Sequence, residues 1–252
     1  MSARSLLTAL CAACVLAPAS ASAAGRSHLS ASFAPEKLGA ATTVGIGFQL
    51  KSGAPPLSRL QLRLPTGVTA GFNTLGLETC TQADLEAKGA SACPPNALVG
   101  LGHAVVSFPL GSQQLAEPVS IKMFMAPATG GHTVFLFYAD GNEPVIDRLV
   151  FQSVLFGESG PFGGRLDTAI PPVAGLPGSP DASVVSMHAE IGPKSLRYYT
   201  HSHGKTVVFT PEGFDVPARC PRGGFPFSGT FTFADGSEET AAMRVPCPGA
   251  GR

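Results

Sequence analysis

The stretch Leu57-Ser58-Arg59-Leu60-Gln61-Leu62-Arg63-Leu64 decides the fold. From Leu60 onward, leucine alternates with a polar residue at a period of two, which in an extended chain puts every leucine on one face and Gln61 and Arg63 on the other. A helix of the same composition would scatter the leucines around its axis, so this segment is a strand with one wet face. The same alternation recurs at Val44, Ile46, Phe48 and Leu50, and at Val119, Ile121, Met123 and Met125. It recurs again at Val185, Met187, Ala189 and Ile191, at Phe227, Phe231 and Phe233, and at Val134, Leu136 and Tyr138 interleaved with Phe135 and Phe137. The expectation is an all-β chain of about a dozen short strands, mainly antiparallel, packed as a β-sandwich that buries one face of each sheet.

Turn chemistry subdivides the pattern. Asp140-Gly141 separates His132–Ala139 from Pro144–Phe156, and Asp235-Gly236 separates Pro226–Ala234 from Glu238–Val245. Because Asp-Gly accepts positive φ at low cost, both pairs read as hairpins. One helix stands out over Thr81–Lys88: Thr81 caps, Asp84 sits in the first turn, and Lys88-Gly89 ends it. The Gly- and Pro-rich segment 157–180 is either a domain boundary or a long crossover; without an internal repeat, residues 25–252 read as one domain.

The start of the chain has the export pattern. Arg4 precedes an apolar run from Leu6 to Ala17, and Ala21 and Ala23 have the spacing of a peptidase site, so residues 1–24 read as a signal peptide. The apolar run is too short to span a membrane and no later segment qualifies, so no integral membrane segment is expected after cleavage. Cys14, after Cys11-Ala12-Ala13, offers a lipoprotein alternative. The expected location is secreted or extracellular.

Cys80, Cys93, Cys220 and Cys247 remain after the leader. Four cysteines allow three connectivities, and the local pairs 80–93 and 220–247 are favoured because each encloses one clear unit, the helix and the second hairpin. An oxidising compartment and the lack of any C-x-x-C spacing argue against zinc.

Charge excludes one class of partner. Removing residues 1–24 takes away only Arg4, one of 17 basic residues against 17 acidic ones, and leaves a formal charge of −1. Without clustered Lys and Arg there is no counterion-releasing surface, and nucleic acid is not an expected partner.

Signatures of catalysis are missing: no G-x-S-x-G, H-E-x-x-H, phosphate-binding loop or EF-hand loop occurs. Weaker constellations remain. His201-Ser202-His203 would set two imidazoles on one side of an extended segment, a metal-chelating spacing, with His188 as a third ligand only if the fold brings it near. Asp147, Glu158 and Asp167 are carboxylates that a hydrolase would need at a defined separation. Tyr198 and Tyr199 form the one polar-aromatic cluster in a chain without tryptophan, and one of the two is a candidate sugar contact.

The segments Cys80-x-x-x-x-Leu85, Gly89-x-x-x-Cys93-Pro94 and Val99-Gly100-x-Gly102 form one set of markers. A second set is Ile170-Pro171, Pro177-Gly178-x-Pro180-Asp181-Ala182-Ser183, Cys220-Pro221 and Gly224-Phe225-Pro226-Phe227, closing with Phe231-Thr232-Phe233-Ala234-Asp235-Gly236 and Val245-Pro246-Cys247-Pro248. In these the chain resembles a group of uncharacterised secreted proteins of high-GC Gram-positive bacteria. The resemblance implies an extracellular setting and the same two cysteine pairs, and it brings no catalytic or ligand residue with it.

These readings converge on a secreted, non-enzymatic protein without a cofactor that binds an extracellular ligand or surface component or serves a structural role, with self-association through open strand edges as a further expectation. A carbohydrate-binding module and a secreted hydrolase are the alternatives. Fold class alone does not choose among them.

Overall fold

The computed structural model describes residues 27–51, 53–70, 75–142 and 147–248. The expected signal peptide over residues 1–24, including Cys14, lies outside the described residues, as does the start, residues 144–146, of the strand expected over Pro144–Phe156. The described chain builds strands β1 (His28–Ala34), β2 (Ala41–Gln49), β3 (Leu57–Pro65) and β4 (Thr69–Ala70), then helix α1 (Gln82–Lys88). The long strands β5 (Leu98–Leu110), β6 (Gln113–Thr129), β7 (His132–Gly141) and β8 (Asp147–Gly157) follow, with β9 (Phe162–Ala169) and β10 (Ser183–Ile191). The chain ends in β11 (Tyr198–Ser202), β12 (Lys205–Phe209), β13 (Phe214–Asp215), β14 (Phe225–Phe233) and β15 (Glu238–Val245). No helix among the described residues is long and apolar enough to cross a membrane.

The all-β, antiparallel expectation holds, and its two facing layers belong to one continuous sheet. Thirteen strands join in the order β15-β14-β3-β9-β8-β7-β6-β5-β10-β2-β13-β4, with β1 on the free side of β2. The sheet rolls nearly into a barrel. Its two ends meet at β1 and β15 through side chains rather than a backbone ladder: Ser27 donates from its hydroxyl to Glu239 Oε2 at 2.6 Å, and Lys51 Nζ lies 3.1 Å from Glu239 Oε1. Phe33 of β1 packs edge-on against Phe225 of β14 across that seam, with ring centres 5.2 Å apart. Strands before, within and after segment 157–180 share this sheet, since β9 inserts between β3 and β8 while β10 joins β5 to β2. The crossover is shorter than the sequence implied, running only from Ile170 to Ala182, with Val173 bridged to Ala182.

Alternation places the core. Leu60, Leu62 and Leu64 are buried while Arg59, Gln61 and Arg63 face out. Over Met123–Ala126 of β6 and Val134–Tyr138 of β7 both phases are buried, because the outer face carries its own cover there. Helix α1 and the Cys80–Cys93 bridge pack Leu85, Cys80 and Cys93 onto Phe124, Ala126, Val134, Leu136 and Tyr138, while Phe135 and Phe137 face the barrel interior. The helix starts where its cap dictates: Thr81 accepts from the backbone N–H of Asp84 at 3.2 Å, and Gly89 takes φ 73° at the other end.

Both cysteine pairs form as the local reading required, Cys80–Cys93 and Cys220–Cys247. The second closes the open end of the β14–β15 hairpin, whose first register pair is Phe225 with Val245. The two Asp-Gly turns behave differently from a simple two-residue loop. At Asp235-Gly236 the Gly236 N–H donates to Phe233 O at 3.0 Å with φ 82°, a type I turn closed by a left-handed glycine. Asp140 and Gly141 remain in the ladder, opposite Arg148 and Asp147, so the β7–β8 connection begins only at Asn142. Gly141 is extended, and its missing side chain serves packing: a Cβ there would run into the carboxylate of Glu117.

Candidate functional site

Among the described residues a cavity of about 90 Å³ lies in the barrel interior. Its walls come from eight strands, because inward-facing residues of neighbouring strands stack in register: Ala104 of β5 stands opposite Val119 of β6 and Met187 of β10. Phe137 and Phe151 form a flat wall, parallel within 5° at a ring-centre distance of 5.1 Å. The crossover contributes Ile170 and Val173. Almost all the lining is hydrocarbon. Thr168, one of the few polar side chains at the wall, uses its hydroxyl to donate to the buried Ser153 hydroxyl at 2.8 Å, so its polar atom is satisfied away from the cavity. Glu117, 1% exposed, also lines the cavity, with its carboxyl beside Gly141. Neither Glu117 nor the cavity was legible from alternation, since the pattern marks which residues face inward and says nothing of how completely they fill the space.

The residues singled out from sequence do not converge on this cavity or on one another. Tyr198 is fully buried: its hydroxyl donates to Leu98 O at 2.6 Å and accepts from Gly76 N–H at 2.9 Å. Burial pushes its phenol above the usual value, partly offset by the Gly76 hydrogen bond. It is a core anchor, which corrects the expectation of a ligand contact there. Tyr199, 43% exposed, faces solvent, and its backbone is clamped by Asn96, whose side chain accepts from Tyr199 N–H at 2.8 Å and donates to Tyr199 O at 2.7 Å. The pair forms no aromatic groove.

His201 and His203 do not share an extended segment. Ser202 pairs with Lys205, so His203 and Gly204 are the two central residues of a tight turn, with φ 50° and 74°. Both positive values mark the mirror-image turn that matches strand twist. His201 stays on β11 beside Thr206, with Nδ1 at 3.3 Å from its hydroxyl, and the two imidazoles are therefore not presented as a chelating pair.

Glu158 and Asp167 are engaged separately. Glu158 accepts from Arg63 at 3.2 Å and from Arg165 at 3.0 Å. Asp167 accepts from Arg59 Nε at 2.7 Å and from Gln61 at 3.1 Å, and the Arg59 hydrogen bond holds its carboxyl below the usual range. Asp147 begins β8 opposite Gly141. His188 lies on the outer face of β10, directly opposite His103 of β5. Among the described residues no three His, Cys, Asp or Glu side chains gather as a metal-ligating cluster.

Comparison of the chain with protein-family models, with curated proteins and with solved structures finds no match.

Proposed function

We propose that this is a secreted, non-enzymatic binding protein that holds an apolar ligand in the barrel interior. The observation that carries the reading is the cavity bounded by Ala104, Phe108, Val119, Phe137, Phe151 and Met187, apolar on nearly every wall. An apolar space of this kind stays dry and gains free energy by taking up hydrocarbon; an engineered apolar cavity of about 150 Å³ binds benzene. At about 90 Å³ the present one is smaller. It suits the end of an acyl or isoprenoid chain.

Two observations support the extracellular part of the proposal. The two disulfides belong to an oxidising compartment, and the sequence opens with an export pattern. The resemblance to secreted proteins of high-GC Gram-positive bacteria agrees with both. A sugar-binding reading would rest on Tyr199 alone, since Tyr198 is buried.

The test is titration with cis-parinaric acid, a fatty acid that fluoresces when its chain leaves water. The reading predicts saturable, single-site binding that palmitate displaces and a monosaccharide does not. Non-saturating fluorescence, or saturation unaffected by palmitate, would overturn it.

A further inference from the structure

On the outer face of the sheet, away from the barrel interior, a recess of about 280 Å³ is lined by His28 of β1, Gly47 and Gln49 of β2, His103 of β5, and Ser186 and His188 of β10. Three of the chain's six histidines meet here. Their strands are neighbours in the order β5-β10-β2-β1, so the sheet itself brings together side chains far apart in sequence.

His103 and His188 are direct cross-strand partners, and their ring centres stand 5.6 Å apart with the planes tilted by 40°. An ion bound by one nitrogen of each ring at about 2.0–2.1 Å, with a tetrahedral angle between them, would set the ring centres roughly 5.2 Å apart. The observed separation is a little longer than that value, and the tetragonal shell of Cu²⁺, with cis nitrogens near 90°, would draw the ring centres in further, to roughly 4.5 Å, by side-chain rotation. Glu190, two residues along the same face, puts Oε1 4.0 Å from His188 Nε2. The floor of the recess is kept open by glycine: a Cβ on Gly47 would lie 2.8 Å from Ser30 Oγ and 3.1 Å from His188 Nδ1. Any side chain at Gly47 would push the His188 ring away.

We infer that His103 and His188 form a two-imidazole site for a divalent late transition-metal ion, Cu²⁺ or Zn²⁺. Imidazole nitrogens suit both ions, and the general affinity order favours Cu²⁺. The protein supplies two ligands here, and water completes the coordination shell. Strands hold the pair, unlike His203, which the β11–β12 turn diverts from its neighbour His201.

The experiment titrates the untagged full chain with Cu²⁺ alone in a non-chelating buffer, followed by calorimetry and by electron paramagnetic resonance. The inference predicts one equivalent of bound Cu²⁺ with hyperfine structure from two imidazole nitrogens. The second imidazole is presented intramolecularly, so His103→Ala or His188→Ala weakens binding on the order of 100-fold. A His201→Ala/His203→Ala variant binds as the wild type does. All four rings lie at the protein surface, and circular dichroism confirms that each variant folds. Unchanged Cu²⁺ affinity in the His103→Ala/His188→Ala variant, loss of binding in the His201→Ala/His203→Ala variant, or no nitrogen-ligated Cu²⁺ at all would overturn the inference.

Discussion

The hydroxyl of Tyr198 donates to the carbonyl of Leu98 at 2.6 Å, tying the root of the β11–β12 hairpin to the first residue of β5. The phenol also accepts from Gly76 N–H, so one buried side chain joins three segments distant in sequence. Tyr198→Phe keeps the ring packed against Phe209 but leaves Gly76 N–H without its acceptor and Leu98 O without this donor. The expected loss is about 1–3 kcal/mol of stability, measured by urea denaturation.

The same residue shapes the alkaline response. Burial raises its pKa above the ordinary 10.0, so the stability contributed by the neutral phenol is intact below about pH 10 and is lost as pH rises through the folded-state pKa. Stability of the wild type measured against pH should bend downward above about pH 10, and Tyr198→Phe should remove its part of that bend.

Asp167 acts with the opposite sign. Held low by the Arg59 hydrogen bond, its carboxylate contributes stability above the ordinary value of 3.8, and that contribution is lost as pH falls through the lower folded-state pKa. Arg59 is half exposed, so the pair is worth at most about 1 kcal/mol. Asp167→Asn should flatten the acid limb of the stability profile while changing the midpoint at neutral pH only slightly.

Gly141→Ala tests whether the glycine is there for space rather than for a turn. With Gly141 extended and opposite Val119, the new methyl meets the Glu117 carboxylate, and an overpacking cost of about 1–3 kcal/mol is expected. Were Gly141 a turn residue facing solvent, thermal denaturation would show little change.

The Cys220–Cys247 bridge closes a long segment around the last hairpin. On the loop-entropy account its removal as a Cys220→Ser/Cys247→Ser pair costs about 3–4 kcal/mol. Because β15 borders the seam to β1, the loss should appear first as hydrogen exchange in β14 and β15, followed by mass spectrometry.

Much of the architecture was readable from period and punctuation. Leu60, Leu62 and Leu64 announced their strand and its buried face, Thr81 and Gly89 bounded the helix, and the cysteines paired around the units they enclose. Closure of the layers into one nearly continuous barrel was not readable, because a buried face looks the same whether it meets a second sheet or the far wall of its own. Asp140-Gly141 marked the right hairpin but not its loop, because glycine serves turns and close approaches alike, and the β7–β8 ladder runs through both residues. The surface site was hidden more deeply, since His103 and His188 are 85 residues apart in the sequence and meet only through the β5–β10 register. His201 and His203, close in sequence, are separated by the turn that His203 enters.

The central claim, that the barrel interior binds hydrocarbon, is tested most directly by measuring cis-parinaric acid binding to Ala104→Phe beside His103→Ala. Ala104 points into the cavity and His103, its chain neighbour, points to the outer face. The account predicts that Ala104→Phe, folded by circular dichroism, loses the saturable fluorescence while His103→Ala keeps it. Equal binding by Ala104→Phe and the wild type would place the hydrocarbon elsewhere and contradict the account.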